Sequence, residues 1–166
     1  MRLTRYTDYA LRVLIFAGVR PSEICTIDSI AVNYGISKNH LRKVVHRLSR
    51  LGYIATAQGR KGGIRLNCPL EQIRLGDIVR RMEPDLRLVE CFEPEHSRCR
   101  IQSACVLRSV LHDALAVFLA TLDRHTLADL VKPRHALADL LDLSVPQAAV
   151  VASQEGRRSP RRPAVD

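Results

Sequence analysis

The sequence has no acidic residue between Ser29 and Leu70, a window that holds Lys38, Arg42, Lys43, Arg47, Arg50, Arg60, Lys61 and Arg65. That absence rules out a charge-balanced surface and favours a polyanionic partner, with a merely solvated basic face as the bland alternative. No apolar run is long enough to span a membrane. Met1-Arg2-Leu3-Thr4-Arg5 leads straight into an amphipathic pattern, without the apolar core or small-residue cleavage site of a signal peptide. A cytosolic location is therefore expected. No Rossmann glycine signature, activated nucleophile or second cofactor motif occurs, which counts against an enzyme or an electron carrier.

What is present is a chain of 166 residues, 46% apolar and with net charge +9, enough for one ordinary domain and an appended element. Disorder throughout is excluded. Thr4 can cap a first helix whose apolar positions Tyr6, Ala10, Val13, Leu14 and Ala17 recur at helical spacing until Gly18 and Pro21. A second helix is predicted over about Ile27 to Tyr34 and a third over about Lys38 to Leu51, joined by Gly35-Ile36-Ser37. Ala31, Gly35, Leu41 and Val44 then take the spacing of a helix-turn-helix. Tyr53-Ile54-Ala55-Thr56 and Ile64-Arg65-Leu66 read as short strands around Ala57-Gln58-Gly59-Arg60-Lys61-Gly62-Gly63, a glycine-flanked basic tip expected of a wing. A short helix from about Leu75 to Met82 follows, ended by Pro84.

Cys91, Cys99 and Cys105 lie close together in a polar segment before a long apolar helix. Thiolates bind iron in iron-sulfur clusters, zinc or Cu(I), and the odd total of five cysteines suits reduced thiols or ligands better than disulfides. On the residues alone, zinc held by the three cysteines with His96 or His112 is the first choice. Cys25 and Cys68 lie away from the loop and read as small buried hydrophobes. The helix after Cys105 carries Leu107, Leu111, Leu115, Phe118 and Leu122 on one stripe, with Val106, Val110, Ala114 and Val117 beside it. A face that wide exceeds what one small domain can cover, so a second chain or the first helix is expected to cover it. The expected architecture is mainly α with a small β-hairpin wing. It divides into a winged helix-turn-helix domain over 1–83, a cysteine loop over 84–105 that is the expected metal- or cluster-binding loop, a dimerisation helix and C-terminal helical segment over 105–143, and a disordered basic tail over 144–166.

Several segments together resemble the winged-helix iron-sulfur regulator family, and within it the bacterial nitric-oxide-sensing repressors. They are the opening Leu3-Thr4-Arg5-Tyr6-Thr7-Asp8-Tyr9-Ala10-Leu11-Arg12, the central Ile36-Ser37-Lys38-Asn39-His40-Leu41, Gly59-Arg60-Lys61-Gly62-Gly63, Val89-Glu90-Cys91-Phe92, and Leu122-Asp123-Arg124-His125-Thr126-Leu127-Ala128-Asp129-Leu130. The resemblance spans roughly residues 1 to 140. It implies a homodimeric repressor of double-stranded operator DNA that releases DNA when nitric oxide nitrosylates its cluster. Cys91, Cys99 and Cys105 match the family's thiolate ligands, and Asp8 matches a carboxylate supplied by the partner chain in some members. A [4Fe-4S] cluster is favoured, with [2Fe-2S] the alternative. A related regulator ligates its cluster through a histidine three residues after the last cysteine, where this chain has Arg108. Without the resemblance, Asp8 is an ordinary acid favouring the positive end of its helix. The DNA-contacting positions expected are Ser37, Lys38, Asn39, His40, Arg42 and Lys43 in the major groove and Arg60 and Lys61 in the minor groove. A zinc-bearing or clusterless thiol-responsive regulator is the alternative function.

Overall fold

The computed structural model describes residues 2–57, 62–93, 95 and 97–143; the wing tip with Arg60 and Lys61, His96 and the basic tail lie outside the described residues. Helix α1, Arg5–Val19, starts where the Thr4 hydroxyl accepts from the Thr7 amide, satisfying one of the donors that a helix start leaves free. Its inner face, Ala10, Val13, Leu14, Phe16 and Ala17, is the centre of the core. Helix α2, Ile27–Tyr34, is capped by Thr26 and ends at Gly35, whose φ of 62° is left-handed. Glycine carries no Cβ penalty there, and the turn lets the Ile36 amide reach the Ala31 carbonyl at 3.1 Å. Helix α3, Lys38–Arg50, follows with Ser37 as its cap and Leu41, Val44, Val45 and Leu48 buried against α1 and α2.

Strands β1, Ile54–Ala57, and β2, Gly63–Leu66, pair antiparallel with Ile54 opposite Leu66 and Ala57 opposite Gly63. Cys25 adds a bridge on the other edge of β2, exchanging backbone hydrogen bonds of 2.9 and 2.7 Å with Ile64. Gly63 is required at this edge, because a Cβ there would run into the Cys25 carbonyl. The hairpin expected from the sequence is thus present, and its root is tied to the segment ahead of α2.

Helix α4, Leu75–Met82, packs its Leu75, Ile78, Val79 and Met82 face inward. After the cysteine loop come α5, Val106–Asp123, and two short helices, α6, Leu127–Leu130, and α7, Arg134–Leu140. The chain past α5 returns to α1: Leu127, Val131, Ala138, Leu141 and Leu143 join the core, and the Arg134 guanidinium donates to the Val19 carbonyl at 2.6 Å. Removing a fully buried side chain such as Leu127 from water stabilises by about 2 kcal/mol. The tetrapeptide Leu-Ala-Asp-Leu occurs twice, at 127–130 and at 137–140, without forming a structural repeat. Its first copy buries Leu127 and its second buries Ala138.

Candidate nucleic-acid interface and cysteine loop

The burial of α3 separates two faces cleanly. Ser37, Lys38, Asn39, His40, Arg42 and Lys43 are all exposed, while the apolar positions between them are buried. Every described position expected to reach DNA therefore faces solvent, on one side of one helix. Several are already oriented by neighbours. The Ser37 hydroxyl and His40 Nδ1 are 3.0 Å apart, Arg42 Nη1 donates to Asn39 Oδ1 at 3.1 Å, and the Tyr6 hydroxyl donates to the Lys43 carbonyl at 3.0 Å. The Tyr9 ring of α1 lies 6.2 Å from the His40 ring.

Two features of this face were not readable from sequence. Asp28, just ahead of the acid-free window, is brought across the turn to pair with Lys38 at 3.0 Å, so that lysine carries a counter-charge in the free protein. Arg47 is committed elsewhere: its Nη2 donates to the Arg81 carbonyl of α4 at 3.1 Å. Both pairings join elements far apart along the chain or across a turn, where helical periodicity carries no signal.

The loop between α4 and α5 carries the cysteines. Cys91 sits in a short 3₁₀ turn, Glu90–Phe92, Cys99 is exposed in open loop, and Cys105 stands at the N-terminal boundary of α5 without a side-chain cap bond. All are free thiols and none is fully buried. Loop hydrogen bonds include the Arg98 amide to Glu90 Oε1 at 2.6 Å and the Cys99 amide to the Ser97 hydroxyl at 3.3 Å, and Arg87 bridges Asp85 and Glu93. The Phe92 ring packs 6.1 Å from the His112 ring of α5. Among the described residues no three His, Cys, Asp or Glu side chains converge into a metal site within the single chain.

Asp8 lies in the first turn of α1, where a carboxylate is favoured by the helix dipole. It is held by Arg12, whose Nε and Nη2 each lie 3.1 Å from a carboxylate oxygen, and Arg12 itself lies over the Tyr34 ring at 5.7 Å. The other two cysteines differ from each other. Cys25 is buried, donates to the Ile64 carbonyl at 3.5 Å, and burial pushes its thiol up to about 11, so it is protonated and unreactive at neutral pH. Cys68 is only partly buried, less so than a core position, and burial again raises its pKa.

Helix α5 has no buried residue, although its sequence is mostly apolar. Val106, Leu107, Val110 and Val117 are 74%, 62%, 55% and 66% exposed. Its far end is fastened to α4: Arg80 grips Asp123 with both guanidinium nitrogens at 2.8 and 2.5 Å, and Arg74 donates to the Asp123 carbonyl at 2.9 Å. Gly76 makes room for that carboxylate, which a Cβ would strike. No described helix is long and apolar enough to cross a membrane.

A helix-turn-helix with an exposed basic second helix, followed by an antiparallel hairpin, defines a winged-helix DNA-binding regulator. The chain belongs to the Rrf2 family, described as iron-dependent transcriptional regulators, whose model matches residues 3–133. It is 51% identical over 144 residues to the HTH-type transcriptional regulator NsrR of Bacillus subtilis (strain 168), covering 86% of this chain and 99% of that protein. The NsrR of Geobacillus kaustophilus (strain HTA426) is 49% identical over 142 residues, covering 85% and 97%. Among solved structures, the oxidized form of Staphylococcus aureus CymR matches with a TM-score of 0.64 and 26% identity, covering 80% of this chain and 97% of that one. The chain is accordingly a DNA-binding transcriptional regulator and not an enzyme. The resemblance drawn from the sequence motifs is thus matched by similarity to NsrR proteins across most of the chain.

Proposed function

We propose that this regulator is a homodimeric repressor that grips operator DNA in an iron-sulfur form and releases it when nitric oxide reaches the cluster. The observation that carries the reading is the place of Cys105. It is the residue immediately ahead of α5, so the thiol loop and the uncovered apolar helix are one continuous stretch of chain. A second copy would cover Val106, Leu107, Val110 and Val117, and the loop would then stand at the subunit boundary. Cys91, Cys99 and Cys105 fit the cluster by donor type and accessibility, and Asp8 of the partner subunit would complete the set. Among the described residues of the single chain these donors form no ligand group, so the partner subunit and the bound group would have to bring them together. A [4Fe-4S] cluster bound there would supply an iron with a displaceable oxygen ligand, to which a small diatomic can bind. Ser37, Lys38, Asn39, His40, Arg42 and Lys43 would enter the major groove, with Arg60 and Lys61 in the minor groove. The dimer would then read two dyad-related half-sites whose centres lie about 34 Å, or a multiple, apart.

A zinc-bearing thiol regulator is the second reading, in which His112, whose ring packs against Phe92 next in the chain to Cys91, would be the fourth donor. Anaerobic absorption spectra with iron and sulfide analysis separate the two. The deciding experiment measures operator affinity, on a duplex recovered from a random pool by selection with the anaerobic wild-type protein. Nitric oxide should weaken binding by cluster-bearing protein and leave the apo form unchanged. Equal operator affinity of the apo and holo forms would remove the switch, even with a cluster present, because a group can shift an equilibrium only by its differential effect on the two states. On the same duplex, Lys43→Ala should flatten the plot of log affinity against log salt by about one unit, one fewer counterion being released. An unchanged slope would make Lys43 merely solvated charge.

A further inference from the structure

Tyr53 is the joint between the recognition helix and the wing. Its backbone amide donates to the Leu48 carbonyl in the last turns of α3 at 3.1 Å, and its carbonyl accepts from the Asn67 amide just past β2 at 3.0 Å. Its ring is buried, and its hydroxyl donates to Asp77 Oδ2 of α4 at 2.5 Å. The other oxygen of the same carboxylate accepts from Arg81 Nε at 2.9 Å, and the carbonyl of Arg81 accepts from Arg47 of α3 at 3.1 Å. One carboxylate thus ties α4 to the wing root through Tyr53 and, through Arg81, to Arg47 in the last turn of the recognition helix.

From this closed set of contacts we infer that Asp77 is a positioning residue that fixes the angle between recognition helix and wing, and so sets sequence discrimination on DNA. The chain of contacts is the ground for it. Base-edge contacts by α3 and minor-groove contacts by the wing are made together only if the two elements keep one relative angle. The backbone joint at Gly52, with φ of 83°, lies next to Tyr53 and has no side chain to hold it. The Cys25–Ile64 bridge holds β2 to the segment ahead of α2, and the Tyr53–Asp77 contact is what holds the β1 side of the hairpin to α4. The hydroxyl-to-carboxylate bond is charge-assisted and among the stronger contacts available for the task. The inference rests on the proposed groove contacts of α3 and the wing, and does not depend on the cluster or on nitric oxide.

The test compares affinity for the selected operator duplex with affinity for sheared random-sequence DNA. Tyr53→Phe removes one oxygen and leaves the backbone joint intact. A variant that merely lowers the folded fraction weakens both affinities by the same factor, so their ratio is unmoved. If Asp77 positions the two reading elements, Tyr53→Phe should cut the ratio of operator to random-DNA affinity by about tenfold, the size of one charge-assisted hydrogen bond. Asp77→Ala should cut it at least as much. The double variant Tyr53→Phe/Asp77→Ala should be no worse than Asp77→Ala alone, since both changes break the same contact. The salt slope should stay at its wild-type value, because neither residue neutralises a phosphate. An unchanged ratio in Tyr53→Phe, with or without a lower Tm, would overturn the inference and leave the contact a stabilising one. Should Asp77→Ala fail to fold, Tyr53→Phe decides alone.

Discussion

Cys99→Ser, purified without oxygen, should lose the cluster's absorption and with it tight operator binding. Cys25→Ser and Cys68→Ser should keep both. The contrast rests on exposure. Cys99 is exposed and accessible to a metal group, whereas Cys25 is buried, hydrogen-bonded to Ile64 and protonated at neutral pH. Specific protein-DNA complexes are roughly a thousandfold or more tighter than the same protein's non-specific binding. Loss of the DNA-competent state should therefore cost at least that much on the operator and almost nothing on random DNA, where the exposed lysines and arginines of α3 still neutralise phosphates. A Cys99→Ser protein with the wild-type spectrum and operator affinity would remove this thiol from the ligand set.

The predicted effects draw on parts of the molecule that the sequence reveals unequally. Local signals are strong where one helix or one turn decides the geometry. Thr4, Thr26 and Ser37 cap the helices they precede, Gly35 adopts the left-handed turn, and Ala31, Leu41 and Val44 are buried as a helix-turn-helix requires. The apolar breadth of α5 also reads directly, and its exposure in one chain is what that breadth anticipates. What local pattern cannot carry is pairing across the fold. Nothing in the run from Leu75 to Met82 announces that Asp77 meets Tyr53 while Arg80 reaches Asp123 at the other end of α5. The charged neighbours Arg80 and Arg81 look interchangeable in sequence, yet one fastens α4 to α5 and the other fastens it to the DNA-reading elements. Likewise Leu127, Val131, Ala138 and Leu143 show short apolar spacing without naming α1 as their destination.

Asp8 should prove to be a ligand supplied across the dimer, and a mixed dimer shows it most directly. Within one chain its carboxylate is paired with Arg12, and no described group of ligands forms around it. The half-exposed pair is a weak contact, and a carboxylate can accept from Arg12 while offering its remaining lone pairs to a metal. Ligation from the partner would join the cysteine loop of one subunit to the α1 of the other. The same α1 touches the recognition helix through the Tyr6 hydroxyl on the Lys43 carbonyl and the Tyr9 ring beside His40. Loss of the ligand could then shift the reading helix without any long relay. In the experiment one chain carries Asp8→Ala and the other has Cys91, Cys99 and Cys105 all changed to alanine. Ligation in trans leaves one complete site, made of the first chain's thiols and the second chain's Asp8, and ligation in cis leaves none. Because water or an added thiol could replace the carboxylate, iron content alone is an insufficient measure. The readings are the native cluster spectrum and its response to nitric oxide, both expected at about half the wild-type amplitude per dimer, one site of two surviving. A mixed dimer that behaves like the Asp8→Ala homodimer would return Asp8 to the role its position already gives it, an acid at the positive end of α1.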